Sequence, residues 1–203
     1  IEEGVLEHPK VDAIFAQHVF TPFEVGTVAF CFGNAMASTD EIYITVKGKG
    51  GHGAYPQDTK DPVLMAAQML VALQQVVSRN MSPFEPTVLT FGKVIANGAT
   101  NIIPDEVYLE GTFRAMDEKV REQAHQLIRQ IATNTVEAFG GKAEINIVKG
   151  YPVLVNDDAV TKRSYDRAVQ YLGADNVKIT TPRMGAEDFA FYSQKVPACF
   201  YRL

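Results

Sequence analysis

Two cysteines, four histidines and no long apolar run deprive this 203-residue chain of the raw material for most disulfide, zinc-finger and membrane architectures. Cys31 and Cys199 lie too far apart in sequence, and are too few, to form a disulfide framework; they are expected to be reduced and buried. His8, His18, His52 and His125 offer no His-x-x-x-His spacing, and there is no Cys-x-x-Cys, so finger-type metal sites are excluded. Nothing approaches the roughly 20 apolar residues that span a bilayer, and the first residues lack the architecture of a secretory signal, so a cytoplasmic location is expected. No Gly-x-Gly-x-x-Gly follows a strand and no phosphate loop ends in Lys-Ser or Lys-Thr, which removes the common nucleotide fingerprints. Acidic residues outnumber basic ones by 24 to 19, a net charge of -5, so nucleic acid and anionic membrane are poor principal partners. Low-complexity tracts are also missing, and 46% hydrophobic against 21% charged residues describe a chain that folds around real cores.

What is present has a legible order. Ile1–Leu6 reads as the end of a helix, Val11–Val19 as a buried central strand because both parities are apolar, and residues 21–32 as a loop with a short strand. The apolar run from Pro197 to Leu203 ends without a turn signal, so both ends are expected to fall inside something larger. A different pattern begins at Thr39. Ile42, Ile44 and Val46 alternate with Glu41, Tyr43, Thr45 and Lys47, and glycines 48, 50, 51 and 53 then end the strand around His52. Asp61 and Pro62 form an N-cap and first-turn pair for a helix to about Asn80, with Val63, Ala66, Ala67, Leu70, Leu73 and Val77 as its buried stripe. Strands follow at Thr87–Ile95 and Val107–Phe113, separated by an Asn97-Gly98 turn. Asp117 caps a second helix with the stripe Val120, Ala124, Leu127, Ile128, Ile131 and Phe139; Gly140 and Gly141 end it, and Ala143, Ile145 and Ile147 mark a fourth strand.

Strand-helix-strand-strand-helix-strand is the split βαβ order: an α+β unit with an antiparallel four-stranded sheet carrying two helices on one face. Its open edges or its helices would suit a two-fold dimer. Beyond Tyr151 come a helix capped by Asn156 or Asp157 and ended by Gly173, a strand at Val177–Ile179, and a turn leading into a helix near Gly185–Phe191. The expected domains are therefore residues 37–150 as a complete insertion, with residues 1–36 and 151–203 as parts of a second, α/β domain.

Candidate chemical residues are few. His18 ends a strand, where open α/β sheets present functional groups; it is either a metal ligand or a satisfied interior histidine, while His8 and His125 have no supporting constellation and read as surface or helical residues. Flanking glycines leave His52 accessible, either as a donor to developing negative charge or as a bystander in a turn. Asn101 is either a ligand donor or the stabiliser of its own turn, and Arg114 either grips a carboxylate or makes a cross-strand ion pair. Glu187 and Asp188, after Gly185 and Ala186, either serve a site or favour a helix N-terminus.

The blocks Val11-Asp12-Ala13-Ile14-Phe15 leading to His18, Gly48-Lys49-Gly50-Gly51-His52-Gly53-Ala54, Asn101-Ile102-Ile103-Pro104-Asp105, Gly111-Thr112-Phe113-Arg114 and Met184-Gly185-Ala186-Glu187-Asp188-Phe189 occur in this order. Together they resemble the zinc-dependent amidohydrolases and metallopeptidases that include aminoacylases, hippurate hydrolase, plant hormone-conjugate hydrolases and some carboxypeptidases. The resemblance implies a ferredoxin-like lid that also dimerises, inserted in an α/β zinc-hydrolase domain incomplete here. It implies hydrolysis of the amide bond of N-acyl amino acids or small peptides, with zinc or another divalent metal, two ions in the full-length enzyme. His18 would be a metal ligand, and His52 would reach the partner subunit's site and polarise the scissile carbonyl. Asn101 and Arg114 would hold substrate, Gly185 and Ala186 would line the pocket, and Glu187 and Asp188 would lie beside it without an assigned role. The family's upstream Asp/Cys-x-His and Glu-Glu pairs and its late histidine are not among these residues, and Glu2-Glu3 would instead occupy the helix that follows the Glu-Glu motif. The chain by itself is therefore expected neither to hold a metal firmly nor to turn over substrate. The rival expectation is a noncatalytic dimerisation or ligand-binding module with the same lid fold.

Overall fold

The computed structural model describes residues 1–203. In chain order the elements are β1 (Ile14–His18), β2 (Val28–Phe30), β3 (Gly33–Met36), β4 (Asp40–Lys47), β5 (Gly51–His52), α1 (Pro62–Asn80), β6 (Thr87–Ile95), β7 (Ile102–Ile103), β8 (Glu106–Ala115), α2 (Glu118–Glu137), β9 (Lys142–Lys149), β10 (Leu154–Asn156), α3 (Asp158–Leu172), β11 (Val177–Ile179), α4 (Ala190–Ser193) and β12 (Ala198–Arg202). The chain divides into two compact units, Thr39–Gly150 and Ile1–Ser38 with Tyr151–Leu203.

In the Thr39–Gly150 unit the sheet order is β6-β8-β4-β9, antiparallel throughout. The alternation in β4 does what a period of two requires: Ile42, Ile44 and Val46 have no exposure, while Tyr43 and Thr45 stand on the opposite, wetter face. Leu109 and Phe113 of β8 join the same buried layer. Against it pack α1 and α2, each started by an aspartate: Asp61 accepts from Val63 and Leu64 N–H, and Asp117 from Lys119 and Val120 N–H. Such caps each contribute about 1 kcal/mol. Burial of side chains such as Leu73 and Ile128 contributes about 1.5–3 kcal/mol apiece.

The buried stripe of α1 differs in part from the expected one. Ala66 and Leu73 are buried and Leu70 and Val77 pack half-buried against the same core, as expected, but Met65, Met69 and Val76 complete the buried face and Val63 and Ala67 are exposed. The helix carries no charged residue from Pro62 to Ser78, so its apolar pattern runs nearly all round and does not fix its rotation. On α2 the stripe is close to the expected one, except that Phe139 lies past the helix end and is half exposed. Gly140 there takes φ +78°, the left-handed conformation that lets the chain turn back into β9.

In the other unit β1, β12, β2 and β11 form a sheet in that order, with β1–β12 and β2–β11 parallel. Within residues 1–203 β1 lies at one side of this sheet: Ile14 and Ala16 pack inward, while Phe15 is 54% and Val19 72% exposed. One expectation is corrected here. Residues 1–6 form isolated turns rather than a helix: Gly4 sits at φ +75°, and the backbone bonds are the three-residue steps Gly4 N–H to Ile1 O and Glu7 N–H to Gly4 O, with Val11 N–H reaching back to Leu6 O. Glu2 and Glu3 accordingly lie in a turn. Asp157 caps α3, while neighbouring Asn156 is buried and bonds the backbone of Cys31 and Phe200. Both cysteines are buried and unpaired. No helix is long and apolar enough to cross a membrane.

Candidate functional site

The glycine-rich loop after β4 is a short built ribbon. Gly48 N–H donates to Asp105 O (2.9 Å), and Lys49 and Lys60 exchange backbone bonds of 2.9 and 2.8 Å. Gly50 N–H donates to the Asp105 carboxylate at 2.8 Å. β5 then pairs with β7, placing Gly51 opposite Ile103 and His52 opposite Ile102. The glycines are required by close approach: a Cβ at Gly50 would fall 2.3 Å from Ile103 O, and one at Gly48 2.0 Å from Lys60 O. Gly53 N–H donates to Asn101 O at 2.8 Å, so His52 and Asn101 are brought together at the same rim. The imidazole is exposed, 5.6 Å from the Tyr55 ring, and its Nδ1 accepts from Ala54 N–H at 3.1 Å.

Arg114 is not part of that cluster. It sits near the end of β8, on the wet face, opposite Val88 of β6. The His52 rim lies at the other end of the sheet, where Lys47 pairs with Glu106. Arg114 is eight positions further along β8, about 26 Å at roughly 3.3 Å per residue.

A buried cluster that no local sequence motif announces lies at the Arg114 end of the sheet, where Asp40 pairs with Phe113. Asp40, with no exposure, accepts from Arg121 Nε (2.9 Å) and Nη2 (2.5 Å) and is 2.6 Å from His125 Nε2. Arg121 also bonds Glu118 and the carbonyls of Thr39 and Gly150. His125, expected as a surface or plain helical residue, is buried because it faces this carboxylate. Burial would push the Asp40 carboxyl up, but hydrogen bonds from His125 and Arg121 outweigh it and hold it at about 2. The available signal was parity: Asp40 falls on the inward side with Ile42 and Ile44, and Arg121 and His125 are four apart on α2.

In the other unit His18 Nδ1 lies 3.3 Å from Glu187 Oε2. Burial first, then a hydrogen bond with Asp188, raises the Glu187 carboxyl above the ordinary carboxylate range, with His18 opposing. Gly185 is exposed and Ala186 half-buried; the Gly185 carbonyl accepts from Ala37 N–H at 3.0 Å. Neither Glu187 nor Asp188 caps a helix: α4 is a single turn with no side-chain cap.

Zinc takes three or four protein ligands. The structure places no three His, Cys, Asp or Glu side chains so that they could hold a metal ion together, and the His18–Glu187 pair supplies two donors. These residues do not by themselves fit a complete metal site.

The chain thus carries a split βαβ unit with an exposed, braced histidine, inserted in sequence between the two parts of a second unit that holds a strand-end His–Glu pair. Residues 39–139 match the peptidase dimerisation domain. The chain belongs to the M20 family of peptidases and amidohydrolases. It is 37% identical over 200 residues to an N-acetyl-L-cysteine deacetylase of Bacillus subtilis (strain 168), covering 98% of this chain and 47% of that protein. It is 37% identical over 204 residues to IAA-amino acid hydrolase ILR1-like 4 of Arabidopsis thaliana, covering 98% and 46%. The crystal structure of the Bacillus subtilis YXEP protein, a dinuclear metal-binding peptidase of the M20 family, matches 99% of this chain and 49% of its own at a TM-score of 0.78 and 28% identity. The chain spans about half the length of the curated relatives it matches.

Proposed function

We propose that the full-length protein is a metal-dependent amidohydrolase that cleaves the amide bond of N-acyl amino acids or small peptides, and that it works as a homodimer. Residues 37–150 act as the lid and dimerisation domain, and residues 1–36 and 151–203 as parts of the catalytic domain. The observation that carries this reading is the placement of His52 and Asn101 on one braced rim, about 26 Å from Arg114. A dipeptide-sized substrate spans only about 7 Å, so one molecule cannot meet all three within a protomer. Two subunits sharing each site resolve this.

In this reading His18 is a metal ligand, with Glu187 and Asp188 close beside it and Gly185 and Ala186 lining the substrate. The metal would acidify water and polarise the carbonyl. His52 of one subunit donates a hydrogen bond to the oxyanion forming in the other's site, Asn101 orients the amide, and Arg114 forks onto the substrate carboxylate. For the dimer surface we favour the β6 edge with the outer face of α1. Leu64 and Val71 of α1 are 57% and 71% exposed, and Val94 of β6 is 51% exposed. The opposite edge, β9, is studded with Lys142, Glu144 and Lys149 in ion pairs, the usual protection of an edge against pairing.

The test is an assay of the full-length protein against a panel of N-acyl amino acids and dipeptides. Hydrolysis should vanish on chelation and return with a divalent metal, while the 203-residue chain stays inactive. Failure to hydrolyse any member with metal present, or robust turnover by the 203-residue chain, overturns the proposal.

A further inference from the structure

The proposed role of His52 needs a donor nitrogen facing outward, and two groups outside the site residues named so far bear on whether it has one. The first is the Ala54 amide. Its N–H can only donate, and it meets His52 Nδ1 at 3.1 Å, so Nδ1 must supply a lone pair. In the neutral ring that puts the proton on Nε2. The second is Asp105. Its carboxylate accepts Gly50 N–H at 2.8 Å while its carbonyl accepts Gly48 N–H at 2.9 Å, so one residue ties down both glycines that precede β5. Gly53 N–H to Asn101 O and Tyr55 N–H to His52 O, at 2.8 and 2.9 Å, secure the other side. The backbone of His52 is thus pinned before and after the ring. Without the Asp105 carboxylate the loop would keep the Lys49–Lys60 exchange, the Gly48 bond to the Asp105 carbonyl and the two-residue β5–β7 pairing, but Gly50, the residue that leads directly into β5, would lose its acceptor.

We infer that Asp105 is a positioning residue for His52, and that its brace, together with the Ala54 amide, presents His52 as the Nε2–H tautomer, a hydrogen-bond donor aimed away from the loop. This rests on the proposed hydrolytic reading for its catalytic consequence, but the tautomer is a property of the chain itself. His52 then acts by donating to negative charge, and no proton need leave the ring.

The test compares Asp105→Ala, which removes the acceptor, with Asp105→Asn, which keeps an oxygen in its place. In the full-length protein, Asp105→Ala should lower kcat per folded dimer by about 10- to 100-fold, the cost of a misplaced catalytic group. KM should stay within about twofold, because a group acting only in the transition state is lost. Asp105→Asn should recover most of the loss. Parental kcat in Asp105→Ala, or equal impairment in Asp105→Asn, overturns the brace. In the 203-residue chain, long-range proton–nitrogen spectra of the His52 ring at alkaline pH should show Nε2 protonated in the parent and a mixture of tautomers in Asp105→Ala. A parent ring protonated on Nδ1 overturns the inference. If the full-length protein hydrolyses nothing on the panel, the functional reading falls while these spectra still decide the tautomer.

Discussion

At the scale of single residues, Asp40 shows how a buried charge can be kept. It lies where β4 begins, shut off from water, with Arg121 and His125 supplying the bonds that water would have made. Removing the carboxylate leaves buried Arg121 with Glu118 as its remaining acidic partner and takes away the acceptor that His125 faces, so Asp40→Ala should cost about 3–5 kcal/mol in urea unfolding, far more than a surface aspartate. The pH dependence has a definite sign. The folded carboxyl is held at about 2, below its ordinary value of 3.8, so its contribution is complete above about pH 4 and is lost as pH falls from there towards 2. The shift corresponds to about 2 kcal/mol. Parent unfolding midpoints should drop between pH 4 and pH 2.5, and the drop should be smaller in Asp40→Asn; the same drop in both would assign the acid sensitivity elsewhere. The sequence hides this group because it is assembled from β4 and α2, 81 and 85 residues apart, and neither segment alone shows a partner.

Among the elements, those with a strong local signal were legible. The aspartate caps of α1 and α2, the two-residue period of β4 and the glycines closing α2 each dictate local geometry whatever surrounds them. Elements that depend on neighbours were not. β5 and β7 have two residues each, too few for any period, and exist because their backbones pair. The place of β1 in its sheet depends on which strands flank it, and its own apolar residues do not state that. The rotation of α1 is only partly legible because the helix is apolar nearly all round, and a second apolar face remains on its surface. Leu64 and Val71 are seven apart, two turns along one side. If that face and the β6 edge are covered by a second copy, Leu64→Lys and Val71→Lys should each weaken the dimer about 10- to 100-fold in sedimentation experiments, the cost of losing one buried aliphatic side chain. Both helices should keep their circular dichroism signal. A dimer of unchanged affinity in the double variant would move the interface to β9 or α2.

For the whole molecule, the distance between the His52 rim and Arg114 makes a prediction that no single-site variant can. Full-length His52→Ala should lose about 10²–10³ in kcat, the usual cost of an oxyanion donor, and Arg114→Ala should lose its hold on the substrate carboxylate. Each variant alone has two defective sites. If every site draws His52 from one subunit and Arg114 from the other, a mixed dimer of the two variants contains one site with both defects and one with neither. After full subunit exchange about half the dimers are mixed, and one site in each of those is intact, so a mixture of two nearly inactive proteins should regain about a quarter of parental activity. Were both residues drawn from the same subunit, every site in the mixed dimer would carry one defect and mixing would restore nothing. The activity of the mixture therefore reads out, without any structure of the dimer, whether the two ends of one sheet serve two different active sites.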